Sequence, residues 1–292
     1  DARERARELV QLGQSDAALA LMGELLGRVP DDPTLLRERI DVLRELERDR
    51  EVVADSDRLI ALVPHDARAW NRRAIARERL GDLEGALQDY DVAVATDPGD
   101  AVFRTNRADT REIVGDLEGA LEDWQAALKL RPENGETWVR LGRTRLYDGD
   151  AAGAVAALTS AVALAPENVR ALRVRAWAKL ALDDRGGATA DLRRAVTLDP
   201  EDATTLLELA ALAAETTGLE RLADRDDGVG WLARFHLGVT SAEPLVGAAV
   251  ASDDAGRVRL AWFHVGLVKH RSGDLDEARA AFRSCVDAAD AA

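Results

Sequence analysis

Nucleophiles, acid–base residues and metal ligands are sparse in this 292-residue sequence, which has four histidines and one cysteine, Cys285. His264 and His270 are six residues apart, a spacing that does not place two ligands on one face of a helix. We find no glycine-rich phosphate loop and no nucleophile elbow in the sequence. The sequence therefore predicts no catalytic residues, no metal site and no cofactor, and Cys285 is expected to be a small core residue.

Ionic chemistry is more regular, because arginines are repeatedly followed sixteen residues later by aspartate. In one part of the chain both members are replaced together, by Leu141 and Ala157. Joint replacement is expected of a buried ion pair, since losing one partner costs about 3–5 kcal/mol whereas replacing both by apolar groups can be neutral. The sequence thus predicts four structural ion pairs: Arg39–Asp55, Arg73–Asp89, Arg107–Asp123 and Arg175–Asp191.

Arg143 and Arg173 each lie one helical turn before an aromatic residue. Arg143 is followed by Tyr147, and Arg173 is followed by Trp177. Residues four apart share a face of a helix, so each pair would present a guanidinium beside an aromatic ring. That combination suits recognition of a carboxylate or an extended peptide.

The arginines, aspartates and aromatic residues of the ion pairs and arginine–aromatic pairs belong to a repeat of 34 residues. Each repeat has two apolar stripes of helical spacing, separated by a turn such as Gly81-Asp82, and ends at a proline that cannot continue the helix. An aspartate or asparagine two residues later can cap the next helix. We therefore predict eleven or more helices without β-sheet, with turns at Gly81, Gly115 and Gly149. The prolines that set the period are Pro30, Pro64, Pro98, Pro132, Pro166 and Pro200.

The repeat resembles the tetratricopeptide repeat (TPR). The residues that carry the resemblance are Trp70, Ala74, Gly81, Ala86, Tyr90, Ala93 and Pro98, and again Trp138, Leu141, Gly142, Gly149, Ala154, Leu158, Ala161 and Pro166. It implies an all-α fold, a right-handed α-solenoid or superhelix of helix-turn-helix repeats. The expected superhelix, 1–217, comprises repeats at 1–32, 33–66, 67–100, 101–134, 135–168 and 169–202 and a first helix at 203–217; a C-terminal repeat is expected at 259–292.

In TPR folds the first helix of each repeat lines a concave groove, so the resemblance implies a peptide-binding surface. We expect its arginines to be exposed, so that reversing Arg143 and Arg173 to glutamate would leave thermal stability nearly unchanged. The alternative is that they are ordinary solvated side chains. The family's carboxylate clamp is not reproduced, because Glu136 and Ile75 replace a base and an asparagine. The candidate groove residues are Arg68, Arg72, Arg140, Arg143, Tyr147, Arg170, Arg173 and Trp177.

The segment 218–258 interrupts the period, with a polar loop followed by two short predicted helices. From here to the C-terminus the sequence is similar to bacterial envelope TPR lipoproteins of the NlpI type. That similarity implies a dimeric adaptor that brings substrates to a protease; the alternative is a degenerate repeat that closes the core. The similar residues are Trp231, Phe235, Leu237, Gly238, Glu243, Phe263, Gly266, Gly273, Asp274 and Phe282.

Net charge and hydropathy limit the kinds of partner. A formal charge of −15 argues against a nucleic-acid partner, including RNA bound by helical repeats. No run of about eighteen apolar residues is present, so we expect no transmembrane segment. Because the chain opens at Asp1, without methionine and partway into a helix, we expect a preceding signal peptide, lipid anchor or further domain. The compartment is left open between the cytoplasm and the bacterial cell envelope.

The function predicted from the sequence is a non-catalytic protein- or peptide-binding scaffold or adaptor that uses the concave face of a TPR superhelix. The expected partner is an acidic or C-terminal protein segment, and a homodimer is compatible with the sequence. The alternative is a regulatory or substrate-recruiting TPR domain of a larger enzyme or effector protein.

Overall fold

The computed structural model describes residues 2–213, 217–219, 221 and 236. These residues contain thirteen α-helices and no β-strand. The helices are α1 (Ala2–Gln11), α2 (Ser15–Arg28), α3 (Pro33–Glu45), α4 (Asp49–Leu62), α5 (Ala67–Arg79), α6 (Leu83–Thr96), α7 (Ala101–Ile113), α8 (Leu117–Leu130), α9 (Gly135–Tyr147), α10 (Ala151–Leu164), α11 (Val169–Ala181), α12 (Arg185–Leu198) and α13 (Ala203–Ala213).

Aspartates in the turns cap the helices. The side chain of Asp66 accepts a hydrogen bond from the amide of Ala69 at the start of α5, at 3.1 Å. Asp82 accepts one from the amide of Gly85 at the start of α6, at 3.0 Å. A Cβ on Gly85 would lie 2.2 Å from Oδ2 of Asp82, so the Asp82 carboxylate would have to shift if another residue stood at position 85. Most turns thus supply the hydrogen-bond acceptor that the first amides of the next helix need, whereas α2 and α4 begin without a side-chain cap.

The first and second helices of a repeat are joined by one residue in the left-handed backbone region. Gly81, Gly115 and Gly149 have φ values of +86°, +83° and +87°, at the predicted turns. In two repeats without glycine, Glu47 and Asp183 adopt φ values of 54° and 61°. The turn therefore requires this backbone conformation rather than glycine itself, and a side chain adopts it at a cost of about 1 kcal/mol.

Alanines form the contact between the two helices of a repeat. The second helices α2, α6, α8, α10 and α12 each carry a fully buried alanine near the start. These alanines are Ala18, Ala86, Ala120, Ala154 and Ala188. Their small side chains allow α1 to pack on α2, α5 on α6, α7 on α8 and α11 on α12.

The chain divides into two compact units, residues 1–144 and 145–292. In the first unit, successive helices from α1 to α8 pack on each other in chain order. In the second unit, α10 packs on α11, α11 on α12 and α12 on α13. First helices of neighbouring repeats also touch, since α3 contacts α5 and α5 contacts α7. They therefore form a continuous layer in the first unit.

The predicted all-α solenoid of helix pairs is confirmed. Apart from residues 218, 219, 221 and 236, the irregular segment 218–258 lies outside the described residues. The C-terminal repeat at 259–292 and the NlpI-like residues also lie outside them. The short helices expected in 218–258 therefore remain predictions.

Candidate functional site

Each of the four arginine–aspartate pairs forms a two-pronged ion pair inside one repeat. Nε of Arg73 lies 2.8 Å from Oδ2 of Asp89, and Nη2 lies 2.6 Å from Oδ1. The Arg107–Asp123 and Arg175–Asp191 pairs have the same two distances, and Arg39–Asp55 has the same two bonds. The aspartates are almost fully buried, so each ion pair holds the two helices of its repeat together.

Further charged residues contact these ion pairs, and the sixteen-residue spacing did not identify them. Nη1 of Arg77 lies 3.0 Å from Oδ2 of Asp89, so that buried carboxylate binds two cations. Nη1 of Arg73 also reaches Asp57 of the preceding second helix. The 34-residue period could have identified both contacts, because polar residues recur at the equivalent positions of other repeats. Arg111 and Lys179 correspond to Arg77, and Asp91 and Thr159 correspond to Asp57.

On the first helices, Arg68 and Arg72 line an open cleft of about 710 Å³. Its walls come from α3, the turn before α5, the start of α5 and the end of α6. Nη2 of Arg72 lies 2.6 Å from Oδ1 of Asp41, and Nε of Arg37 donates to Oδ2 of Asp66 at 2.7 Å. Burial lowers the pKa of Arg72, and the nearby cations Arg44 and Arg68 lower it further, whereas Asp41 and Asp66 oppose the shift.

Neutral and acidic side chains follow along the same layer of first helices. The amide of Asn106 donates to Oδ1 of Asn71 at 2.9 Å, which links α7 to α5. The carboxylate of Glu78 accepts hydrogen bonds from the hydroxyls of Tyr90 and Thr110, at 3.2 and 2.6 Å. Burial raises the pKa of the Tyr90 hydroxyl, and the charge of Glu78 adds to the shift. The Asn106–Asn71 and Thr110–Glu78 bonds cross between repeats, so they fix the relative positions of α5 and α7, whereas the Tyr90–Glu78 bond lies within one repeat.

Arg140 and Arg143 lie in the first unit, where carboxylates of α7 bind them. Arg140 reaches Oδ1 of Asp109 at 2.7 Å, and Arg143 reaches Oε2 of Glu112 at 2.6 Å. Glu112 also accepts a hydrogen bond from Thr144. The side chain of Arg143 is 22% exposed and that of Glu112 is 11% exposed. The expectation of freely exposed arginines is therefore wrong for Arg143, because a charge of the neighbouring repeat neutralises it.

The remaining candidates lie in the second unit. The guanidinium carbon of Arg173 is 5.8 Å from the ring centre of Trp177, within cation–π range. Nη2 of Arg173 also lies 3.0 Å from Oε1 of Glu208 in α13. Burial raises the pKa of Glu208, although Arg173 lowers it. Arg170 is exposed, and Tyr147 is 63% exposed. Arg173 is therefore another half-buried arginine engaged by a carboxylate.

In the part of the chain that the structure describes, no three histidine, cysteine or carboxylate side chains come together in an arrangement suited to a metal ion. None of the helices described is long and apolar enough to cross a bilayer.

One family model matches most of the chain. It is described as tetratricopeptide repeat and matches residues 3–51, 54–101, 106–169, 139–203 and 230–292. No curated protein matches the sequence significantly.

Several solved structures have a similar fold. The C-terminal part of a TPR repeat-containing protein from Cytophaga hutchinsonii is 15% identical, with a TM-score of 0.63 over 96% of this chain and 98% of its own. YrrB, a TPR protein with an unusual peptide-binding site, is 14% identical, with a TM-score of 0.57 over 63% of this chain and 95% of its own. MamA from Desulfovibrio magneticus RS-1 is 22% identical, with a TM-score of 0.54 over 57% and 94%. At these identities the likeness shows the fold alone.

Proposed function

Because the chain belongs to the tetratricopeptide repeat family, we propose that it is a non-catalytic scaffold or adaptor that binds a protein or peptide on its first helices. The observation that carries the proposal is the layer formed by α3, α5 and α7, whose polar side chains bond across repeats. We call the side chains of these three helices that face away from their second helices the first-helix surface.

A fixed surface favours binding because fewer groups lose conformational freedom when a partner arrives. The Asn71–Asn106 bond and the Glu78–Thr110 bond join neighbouring first helices before any partner is present. Ordering a flexible side chain on binding costs about 0.5–1.5 kcal/mol, and a preformed surface avoids that cost. This is the physical advantage of a solenoid as a binding scaffold.

We propose an acidic or C-terminal protein segment as the partner. The chain carries fifteen excess negative charges, so a local group of arginines would stand out electrostatically and steer an anionic segment. YrrB, which shares the fold, has a peptide-binding site. That similarity supports peptide binding here, while the surface residues of this chain define what would be bound.

Site-specific photo-crosslinking tests the proposal. A photoreactive residue would replace Val102, which is exposed on α7, and in a matched variant Gln125, which is exposed on the second helix α8. We expect a protein partner to crosslink from position 102 and not from position 125. A crosslink to a second copy of the chain would identify a homodimer. Equal crosslinking from both positions, or none from position 102, would contradict a first-helix binding surface.

A further inference from the structure

The cleft beside Arg68 differs from the positions of Arg140, Arg143 and Arg173 because carboxylates match its cations incompletely. Arg37, Arg44, Arg68 and Arg72 lie in or next to it, against Asp41, Asp66 and Asp97. Arg68 is exposed, and within the described residues no carboxylate lies within ion-pair distance of it. By contrast, Arg140, Arg143 and Arg173 each bind a carboxylate of another helix.

Asp41 pairs with two of these cations. Its Oδ1 lies 2.6 Å from Nη2 of Arg72 and 3.7 Å from Nη1 of Arg44. The Asp41 side chain is 47% exposed, whereas that of Arg72 is 16% exposed. A half-buried arginine thus depends on an accessible carboxylate, which an incoming anion can supplement or replace.

We infer that this cleft is an anion subsite that holds a carboxylate of the bound segment, and that Asp41 competes with that carboxylate for Arg72. The inference deepens the proposed function, from which it takes the binding surface. Arg68 and Arg72 would contact the incoming carboxylate, because guanidinium groups bind carboxylates through charge-assisted hydrogen bonds. Arg37 uses Nε for Asp66, so it lines the wall and fixes the turn before α5.

Competition between Asp41 and the bound carboxylate distinguishes a specific subsite from a general electrostatic effect. Removing the charge of Asp41 leaves Arg72 and Arg44 without their shared carboxylate, so affinity for an external carboxylate should rise. Reversing the charge at position 68 with Arg68→Glu should lower that affinity. Both variants have matched controls with the same change of net charge at exposed positions, namely Asp148→Asn and Arg131→Glu.

Two peptide probes distinguish the source of the carboxylate. N-acetylated, C-amidated tetraglutamate offers side-chain carboxylates alone, and N-acetylated tetraserine with a free C-terminus offers a terminal carboxylate alone. We expect the full chain to bind at least one of them in isothermal titration at low salt. Arg68→Glu should weaken that binding about tenfold and Asp41→Asn should tighten it about threefold, with changes below about twofold in the controls. Circular dichroism would establish that the variants are folded.

Several results would overturn the subsite: no binding of either probe, equal effects in cleft and control variants, or no gain from Asp41→Asn. A partner that crosslinks from position 102 and binds Arg68→Glu as well as it binds the unaltered chain would also overturn it, while leaving the scaffold function in place. Probe binding with these dependences, without any partner crosslinked from position 102, would support the subsite and contradict the scaffold function.

Discussion

The guanidinium of Arg107 holds the carboxylate of Asp123 through two parallel hydrogen bonds, 2.8 Å from Nε to Oδ2 and 2.6 Å from Nη2 to Oδ1. Nη1 of Arg111 adds a third bond, 2.9 Å from Oδ2. Asp123 is 2% exposed. The second helix of the repeat is therefore fixed to the first by a buried charge, and the repeats that have this pair should depend on both members.

Arg107→Leu should lower the free energy of unfolding by about 3 kcal/mol, because Asp123 would stay buried with one cation fewer. The double variant Arg107→Leu/Asp123→Ala should lose less than this single variant. It introduces the residue types that the repeat 135–168 has at the equivalent positions, Leu141 and Ala157. Urea denaturation of both variants measures the difference. A double variant less stable than Arg107→Leu would contradict the role of the pair.

Arg39→Leu should cost about 1 kcal/mol more than Arg107→Leu, because Asp55 has weaker support from other cations. Leu43 stands where Asp123 has Arg111, and the nearest additional cation, Nη1 of Arg58, is 3.9 Å from Asp55. The two urea midpoints, measured under the same conditions, test this order. Equal losses would mean that the second cation contributes nothing.

The ion pairs also predict how stability changes in acid. Burial of Asp191 opposes ionisation, but hydrogen bonds from Arg175 and Lys179 outweigh burial and lower its pKa. The unfolded chain therefore binds the proton more tightly, and Asp191 stabilises the fold above its unfolded pKa of about 3.9. This stability is lost as the pH falls through the lower pKa of the folded state.

Asp191→Asn should therefore show a shallower loss of stability below about pH 4 than the unaltered chain. Asp148→Asn, which removes an exposed carboxylate, is the control and should keep the original slope. Urea midpoints measured from neutral pH down to about pH 3 give both slopes. If Asp191→Asn and Asp148→Asn had equal slopes, the lowered pKa of Asp191 would not contribute to acid stability.

Charge reversal at Arg143 should destabilise the protein, contrary to what its sequence position suggested. Arg143→Glu would place a carboxylate beside the half-buried Glu112, so we expect a loss of about 2 kcal/mol or more. Arg131→Glu, at an exposed position, makes the same change of net charge and should cost less than about 1 kcal/mol. Thermal melts compare the two, and equal melting temperatures would show that the Arg143–Glu112 pair contributes little.

The fold could be predicted from the sequence because each repeat carries its own turn and capping signals, and these signals recur every 34 residues. Local chemistry explains the caps at Asp66 and Asp82, and the joint replacement by Leu141 and Ala157 pointed to a facing pair of helices. The left-handed turns at Glu47 and Asp183 were not signalled, because neither is glycine.

It was harder to predict which arginines of the candidate site are bound by carboxylates, because this depends on contacts between repeats. Helical spacing places Arg143 on a face with Tyr147, but it does not show that Glu112, on another helix, binds that arginine. The sequence likewise does not show that, among the described residues, Arg140 binds a carboxylate of another helix whereas Arg68 does not. Their difference arises from which carboxylates the packing of neighbouring first helices brings within reach.

The most direct test of the central claim is hydrogen–deuterium exchange of the full chain with the crosslinked partner added in excess. A partner on the first-helix surface should slow exchange in α3, α5 and α7 and leave α4, α6 and α8 nearly unchanged. Because the surface is preformed, protection should appear without new cooperative ordering of these helices. Protection confined to the second helices, or spread equally over both, would contradict binding on the first-helix surface.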